Sequence, residues 1–192
     1  MPSILMTNTA LQAWLDQDDP ELVDAIKLEI REHVAKLYAR GEQFYGYAIL
    51  PGEFEAIHNL VVAFNRESDI APENVTNSYY RYSVDEWSNY EHGEFPKSNA
   101  IINLRNSQFQ ELHSNDNPDN YEMNSWEVAH AIKLLNAILK AMTELRHEGL
   151  IGGNKSFAII WIADSDNSIM PQSAKALNTD AVYKMFVEEF GD

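Results

Sequence analysis

One stretch limits the architecture more than any other. Between Asn124 and Gly149, Val128, Ile132, Leu135, Leu139, Met142 and Leu145 recur at helical spacing, and Leu134 and Ile138 widen the apolar stripe. A stripe that wide predicts a long helix buried on more than one side, so other elements must pack around it. Asn124-Ser125-Trp126-Glu127 reads as its capping box, and Gly149 as its stop.

The remaining elements surround that helix in an irregular order. Asp19-Pro20-Glu21 opens a helix over 20–40, with a capping carboxylate, a proline at the first helical position and acid in the first turn. Phe44 to Leu50 and Ile57 to Phe64 read as an antiparallel hairpin across Pro51-Gly52. Tyr79 to Tyr82 reads as a short third strand. Ser83-Val84-Asp85-Glu86 reads as a capping box leading into a short helix that carries Trp87. A helix is expected over 98–113, a central strand over 155–163 and a last helix opened by Asn178-Thr179-Asp180. Strands and helices do not alternate. The expected fold is therefore α+β: a small, mostly antiparallel sheet of about four strands packed against several helices, as a single domain over 1–192.

Charge and composition exclude several classes of function. No cysteine is present, which removes disulfides, thiol nucleophiles and cysteine-ligated metals. The longest uncharged apolar run, 157–163, is far short of a bilayer span, and residues 1–15 lack the features of a signal peptide, so a cytoplasmic protein without membrane association is expected. The formal net charge is −16, from 30 acidic and 14 basic residues, which disfavours nucleic acid and favours a basic partner. The acid is uneven. Glu111, Asp116, Asp119, Glu122 and Glu127 fall between Arg105 and Lys133 with no base among them, and ten carboxylates face only Arg66 and Arg81 from Glu42 to Phe95.

Familiar catalytic motifs fail on inspection. Gly149 to Ser156 is near a phosphate-binding loop, but Asn154 replaces a required glycine, and helix precedes strand rather than the reverse. Asp164-Ser165-Asp166-Asn167-Ser168 begins like a calcium loop but has Ile169 and Lys175 where glycine and glutamate are needed, so a turn is expected. His92 lies beside Glu91 and Glu94, and His113 near Asp116 and Asp119. Each pattern reads either as a weak ion site or as solvated surface. No catalytic residue, metal ligand or cofactor is assigned.

Two readings of Tyr79 to Glu91 stay open. In the structural one, tyrosines pack the sheet, Trp87 seals it, and Arg81 pairs with Asp85 or Glu86 or lies over an aromatic ring. In the functional one, Arg81, Glu86 and Trp87, with Asp164, line a ligand cleft. A purely structural or assembly role, with Trp14 or Trp126 as an interface anchor, is a third reading of the chain.

The aromatic strand Phe44-Tyr45-Gly46-Tyr47-Ala48-Ile49 followed by Arg81-Tyr82-Ser83-Val84-Asp85-Glu86-Trp87 resembles domain of unknown function family 4303 over most of the chain. Tyr82 stands where tryptophan is expected, and Val84 where proline is common. The resemblance implies a bacterial cytoplasmic α+β protein of unassigned activity, and families of this kind are candidates for immunity proteins that neutralise secreted toxins. It carries over no catalytic residue. The leading expectation is a non-catalytic module that docks a basic protein, such as a toxin, through Glu111, Asp116, Asp119 and Glu122. The alternative is a small enzyme or ligand-binding protein with its cleft near Arg81, Glu86, Trp87 and Asp164.

Overall fold

The computed structural model describes residues 3–113 and 123–191. Among them the fold is α+β, as expected, with a four-stranded sheet in the order β3-β2-β1-β4. β1 (Gly46–Leu50) and β2 (Val61–Asn65) form the antiparallel hairpin, Ala48 opposite Ala63. β3 (Asn89–Glu91) adds antiparallel to β2, and β4 (Phe157–Ile160) runs parallel to β1 with Phe157 opposite Gly46.

Helices α1 (Ser3–Leu15), α2 (Pro20–Ala39), α4 (Pro96–Leu112) and α5 (Ser125–His147) pack together, with α2 against both α4 and α5. α2 starts as read. The Asp19 carboxylate accepts from the Leu22 amide at 3.1 Å. Both bonds of the α5 capping box form, Glu127 N to Asn124 Oδ1 and Asn124 N to Glu127 Oε2, and Trp126 N also donates to Asn124 Oδ1. The buried stripe of α5 is centred on Ala131, Leu134, Ile138, Ala141 and Leu145, so Ile132 is left exposed instead of joining the core face.

α4 has no side-chain cap of its own, because Phe95 occupies the capping position. Glu29 of α2 supplies it from across the interface. Its buried carboxylate accepts from the Lys97 amide at 2.7 Å, the Ser98 amide at 3.0 Å and the Ser98 hydroxyl at 2.5 Å. A carboxylate there meets free helix amides and the positive end of the helix dipole.

Four expectations are corrected. Tyr79 to Tyr82 is not a strand. It forms α3 (Ser78–Tyr82), because Asn77 Oδ1 accepts the Tyr79 amide at 2.9 Å and starts a helical turn. Ser83 does not close a capping box, since its side chain makes no cap bond and only a single tight turn, Val84–Glu86, follows before Trp87. The third strand of the sheet is Asn89–Glu91. β4 lies at an edge of the sheet rather than its centre, yet it is fully buried. α6 (Ile169–Leu177) covers that edge: Ser173 Oγ accepts the Ile160 amide at 3.1 Å, while Asn178 accepts from Ala158 N and donates to Ala158 O, both at 2.8 Å. Side chains thus stand in for a missing strand, and a continuous apolar run at an edge becomes tolerable. Neither α1 nor α6 was expected.

The two faces of the sheet differ. Tyr47 and Phe64 face His33 of α2. Gly46 and Phe157 face Trp87, and α7 (Asp180–Phe190) packs against α3 on that side. Aromatic rings cover this second face: Tyr82 is 4.9 Å from Phe157, Phe157 is 6.0 Å from Phe186, and Phe186 is 5.1 Å from Phe190.

Candidate functional site

Arg81 and Trp87, two of the residues singled out in the sequence, do meet on the aromatic face. Trp87 Nε1 donates to the Arg81 carbonyl at 3.3 Å, and the Tyr45 hydroxyl donates to the same oxygen at 3.0 Å. The Arg81 guanidinium lies 4.7 Å from the Tyr45 ring centre and makes a two-pronged pair with Glu67, both bonds at 2.8 Å. The pairing partner is therefore Glu67, not Asp85 or Glu86. The Arg81 hydrogen bonds hold the Glu67 carboxyl below its usual range, and burial pushes the Tyr45 hydroxyl up to about 12. Trp87 is buried because Gly46 leaves room for it. A Cβ on Gly46 would lie 2.6 Å from Trp87 Cη2.

The other two do not converge with them. Glu86 is exposed and accepts from the Tyr79 hydroxyl at 3.3 Å. Asp164 is exposed in the turn after β4, with φ +51°; nearby, Trp161 Nε1 donates to Asp85 at 3.0 Å. None of Arg81, Glu86, Trp87 and Asp164 lines the cavity of about 490 Å³ at this end of the sheet, which is bounded by Glu42, Phe44, Tyr45, Arg66, Glu67 and Lys155 among others. Arg66 is held there by Asp69 at 2.8 Å and Glu42 at 2.9 Å. Glu67 and Tyr45 tie Arg81 to that space. Of the acidic residues assigned to a partner, Glu111 is exposed in the last turn of α4, and Asp116, Asp119 and Glu122 lie outside the described residues.

Sequence reasoning missed a buried network on the opposite face. His33 Nδ1 is 3.0 Å from the Tyr47 hydroxyl, and His33 Nε2 is 3.2 Å from Glu91, which also pairs with Arg40 at 2.7 Å. The carboxylate places the proton on Nε2, so Nδ1 accepts from Tyr47. Burial pulls His33 below its usual range and pushes the Tyr47 hydroxyl well above its own. With His33 and Tyr47 at 0% exposure, the network reaches solvent only through Glu91 and Arg40, and it ties β3 to α2. The only signal in the sequence was His33 sitting on the apolar stripe of α2 between Ile30, Val34 and Leu37.

The His92 pattern does not assemble into an ion site, and Asp116 and Asp119, the neighbours read with His113, lie outside the described residues. His92 is exposed, while its neighbours Glu91 and Glu94 turn to Arg40 and Lys36. His113 Nε2 accepts from Asn124 Nδ2 at 3.0 Å. Among the described residues no three His, Asp or Glu side chains are grouped to hold a metal ion, and no helix is long and apolar enough to cross a membrane. The 149–156 segment has helix before and strand after, and 164–168 is a turn in which Asn167 Oδ1 accepts the Ile169 amide.

Ion pairs occur on both faces. Lys27, Arg31, Lys36, Arg40, Arg105 and Lys140 pair with carboxylates on or beside α2, α4 and α5. On the aromatic side, Arg81 is held by Glu67 and Lys184 lies 3.8 Å from Glu188, while Asp85, Glu86, Asp164, Asp166 and Glu189 are exposed. Burial would raise Asp19, but hydrogen bonds from Arg105 and the Leu22 amide hold it below its usual range.

Comparison with curated proteins and with solved structures yields no match. The family model described as domain of unknown function (DUF4303) matches residues 25–179, from within α2 to the residue that caps α7. That span contains the hairpin, the Arg81–Trp87 element and the strand β4, and on this evidence the chain belongs to the DUF4303 family.

Proposed function

We propose that this protein is a non-catalytic binding module that neutralises a basic protein by docking it through an acidic surface, as a toxin-neutralising immunity protein does. One observation carries the reading: the net charge is −16, and of the fourteen bases six sit in ion pairs around α2, α4 and α5 while Arg66, Arg81 and Lys184 face carboxylates elsewhere. The remaining carboxylates are left to attract a partner. Such a field speeds encounter and selects against acidic competitors. The base-free stretch with Glu111, Asp116, Asp119 and Glu122 is one source of that field.

Affinity capture from the source cell, followed by calorimetry of the purified captured protein at low and high salt, tests this. A basic partner bound one to one, more weakly as salt rises, is expected. A neutral or acidic partner bound with no salt dependence contradicts the proposal.

A second reading, as a ligand-binding protein, is favoured by the cavity of about 490 Å³ beside Arg66, Glu67 and Lys155, a size that suits a small molecule. A metabolite that raises the melting temperature of the wild type but not of Lys155→Ala would support it. No such metabolite in a broad screen would leave the cavity as surface relief.

A further inference from the structure

The geometry points to the α3–α7 face as the docking surface for an arginine-bearing basic segment of a protein partner. This inference rests on the binding-module reading and gives it a location distinct from the Glu111 stretch.

Large apolar side chains surface here. Tyr79 and Met185 are each 39% exposed and Val75 is 44% exposed. Tyr79 stacks on Phe190 at 6.0 Å and meets Tyr80 edge-on at 5.5 Å. Phe190 in turn contacts Phe186 and Trp161, so the surface rings rest on the core. Tyrosine, phenylalanine and methionine anchored in this way are the residue types enriched at protein interfaces.

The charge around those rings says what covers them. Glu86 accepts from the Tyr79 hydroxyl, and Asp85 accepts from Trp161. Glu189 adjoins Phe190, and Asp164 lies three residues past Trp161; both are exposed. Of the nearby cations, Arg81 is engaged by Glu67, while Lys184, 3.8 Å from Glu188, stays exposed. Aromatic faces bordered by carboxylates complement a guanidinium better than an ammonium, because the planar cation stacks on a ring while its edge donates to carboxylates.

The test uses an oligo-arginine and an oligo-lysine peptide of equal length as probes, titrated into the full chain at low salt. Affinity is read by calorimetry and location by backbone amide shifts. The surface predicts that the arginine peptide binds more tightly. It predicts that shifts centre on 78–86, 161–166 and 180–190. Tyr79→Ala and, separately, Glu189→Lys should each weaken the arginine peptide by about fivefold to tenfold, whereas Asp24→Lys, at an exposed position on α2, leaves it largely intact. Glu189 is exposed, so its reversal does not depend on the fold surviving a core change. If the wild type binds but shifts lie elsewhere and neither variant weakens it, the surface is wrong while the binding-module reading stands. If neither peptide binds the wild type at low salt, both fall.

Discussion

Substituting Gly46 by alanine probes how tightly the aromatic face is built. The new Cβ would lie 2.6 Å from Trp87 Cη2 and 2.7 Å from Cζ2. Carbon atoms in contact prefer about 3.5–4.0 Å, so the indole must retreat by about 1 Å. It has little room to do so. Trp87 is 3% exposed, its Nε1 is bonded to the Arg81 carbonyl, and its ring meets Phe157 and Tyr45 edge-on. Overpacking of this kind costs about 1–3 kcal/mol. Trimming the indole in Trp87→Leu removes the clash. In that background the alanine is neutral, or stabilises by up to about 1 kcal/mol, because a strand glycine loses more chain entropy on folding. The two substitutions should therefore couple by about 1–4 kcal/mol in a double-mutant cycle read by urea unfolding and far-ultraviolet circular dichroism. Equal cost for Gly46→Ala in both backgrounds would refute the claim that the glycine exists to admit the ring.

Three more perturbations follow from buried polar groups. Glu29→Ala leaves the Lys97 and Ser98 amides without their carboxylate and should cost about 3–5 kcal/mol, whereas Glu29→Gln, still able to accept, should cost clearly less; urea midpoints separate the two. Asn178→Ala exposes both backbone groups of Ala158 at the sheet edge and should cost about 2–4 kcal/mol, with faster amide exchange at Ala158. His130 stacks on Phe109 at 4.4 Å, and burial lowers its pKa from 6.5 to about 4. The unfolded chain thus takes up the proton first. His130 lends its full stability above pH 6.5 and loses it progressively as pH falls toward 4, by about 3 kcal/mol in all. His130→Phe, which keeps the stack and removes the titration, should flatten that part of the pH–stability curve; an unchanged slope would assign it to other groups.

The elements legible in the sequence were those that carry their own signals. α2 announces itself through Asp19-Pro20-Glu21, and α5 through the Asn124–Glu127 box, and both caps form. What was misread depends on distant partners. The helix expected over 98–113 does form as α4, but it starts two residues early, at Pro96, where Glu29, far away in the chain, caps it. β4 can sit at an edge because Ser173 and Asn178 satisfy its outer backbone. The tyrosines of 79–82 suggested a strand by composition, but a cap at Asn77 and packing against α7 set a helical turn. Of the candidate site, contact between Arg81 and Trp87 was foreseeable from their spacing. The Arg81–Glu67 pair was not, since Glu67 belongs to a separate turn after β2.

The most direct test of the binding-module account is the association rate constant with the captured partner, measured by stopped flow from low to high ionic strength. Attraction by excess carboxylates predicts a rate that falls steeply as salt rises, with dissociation much less affected. An association rate indifferent to salt would contradict it, because complementary charge would then have no part in the encounter.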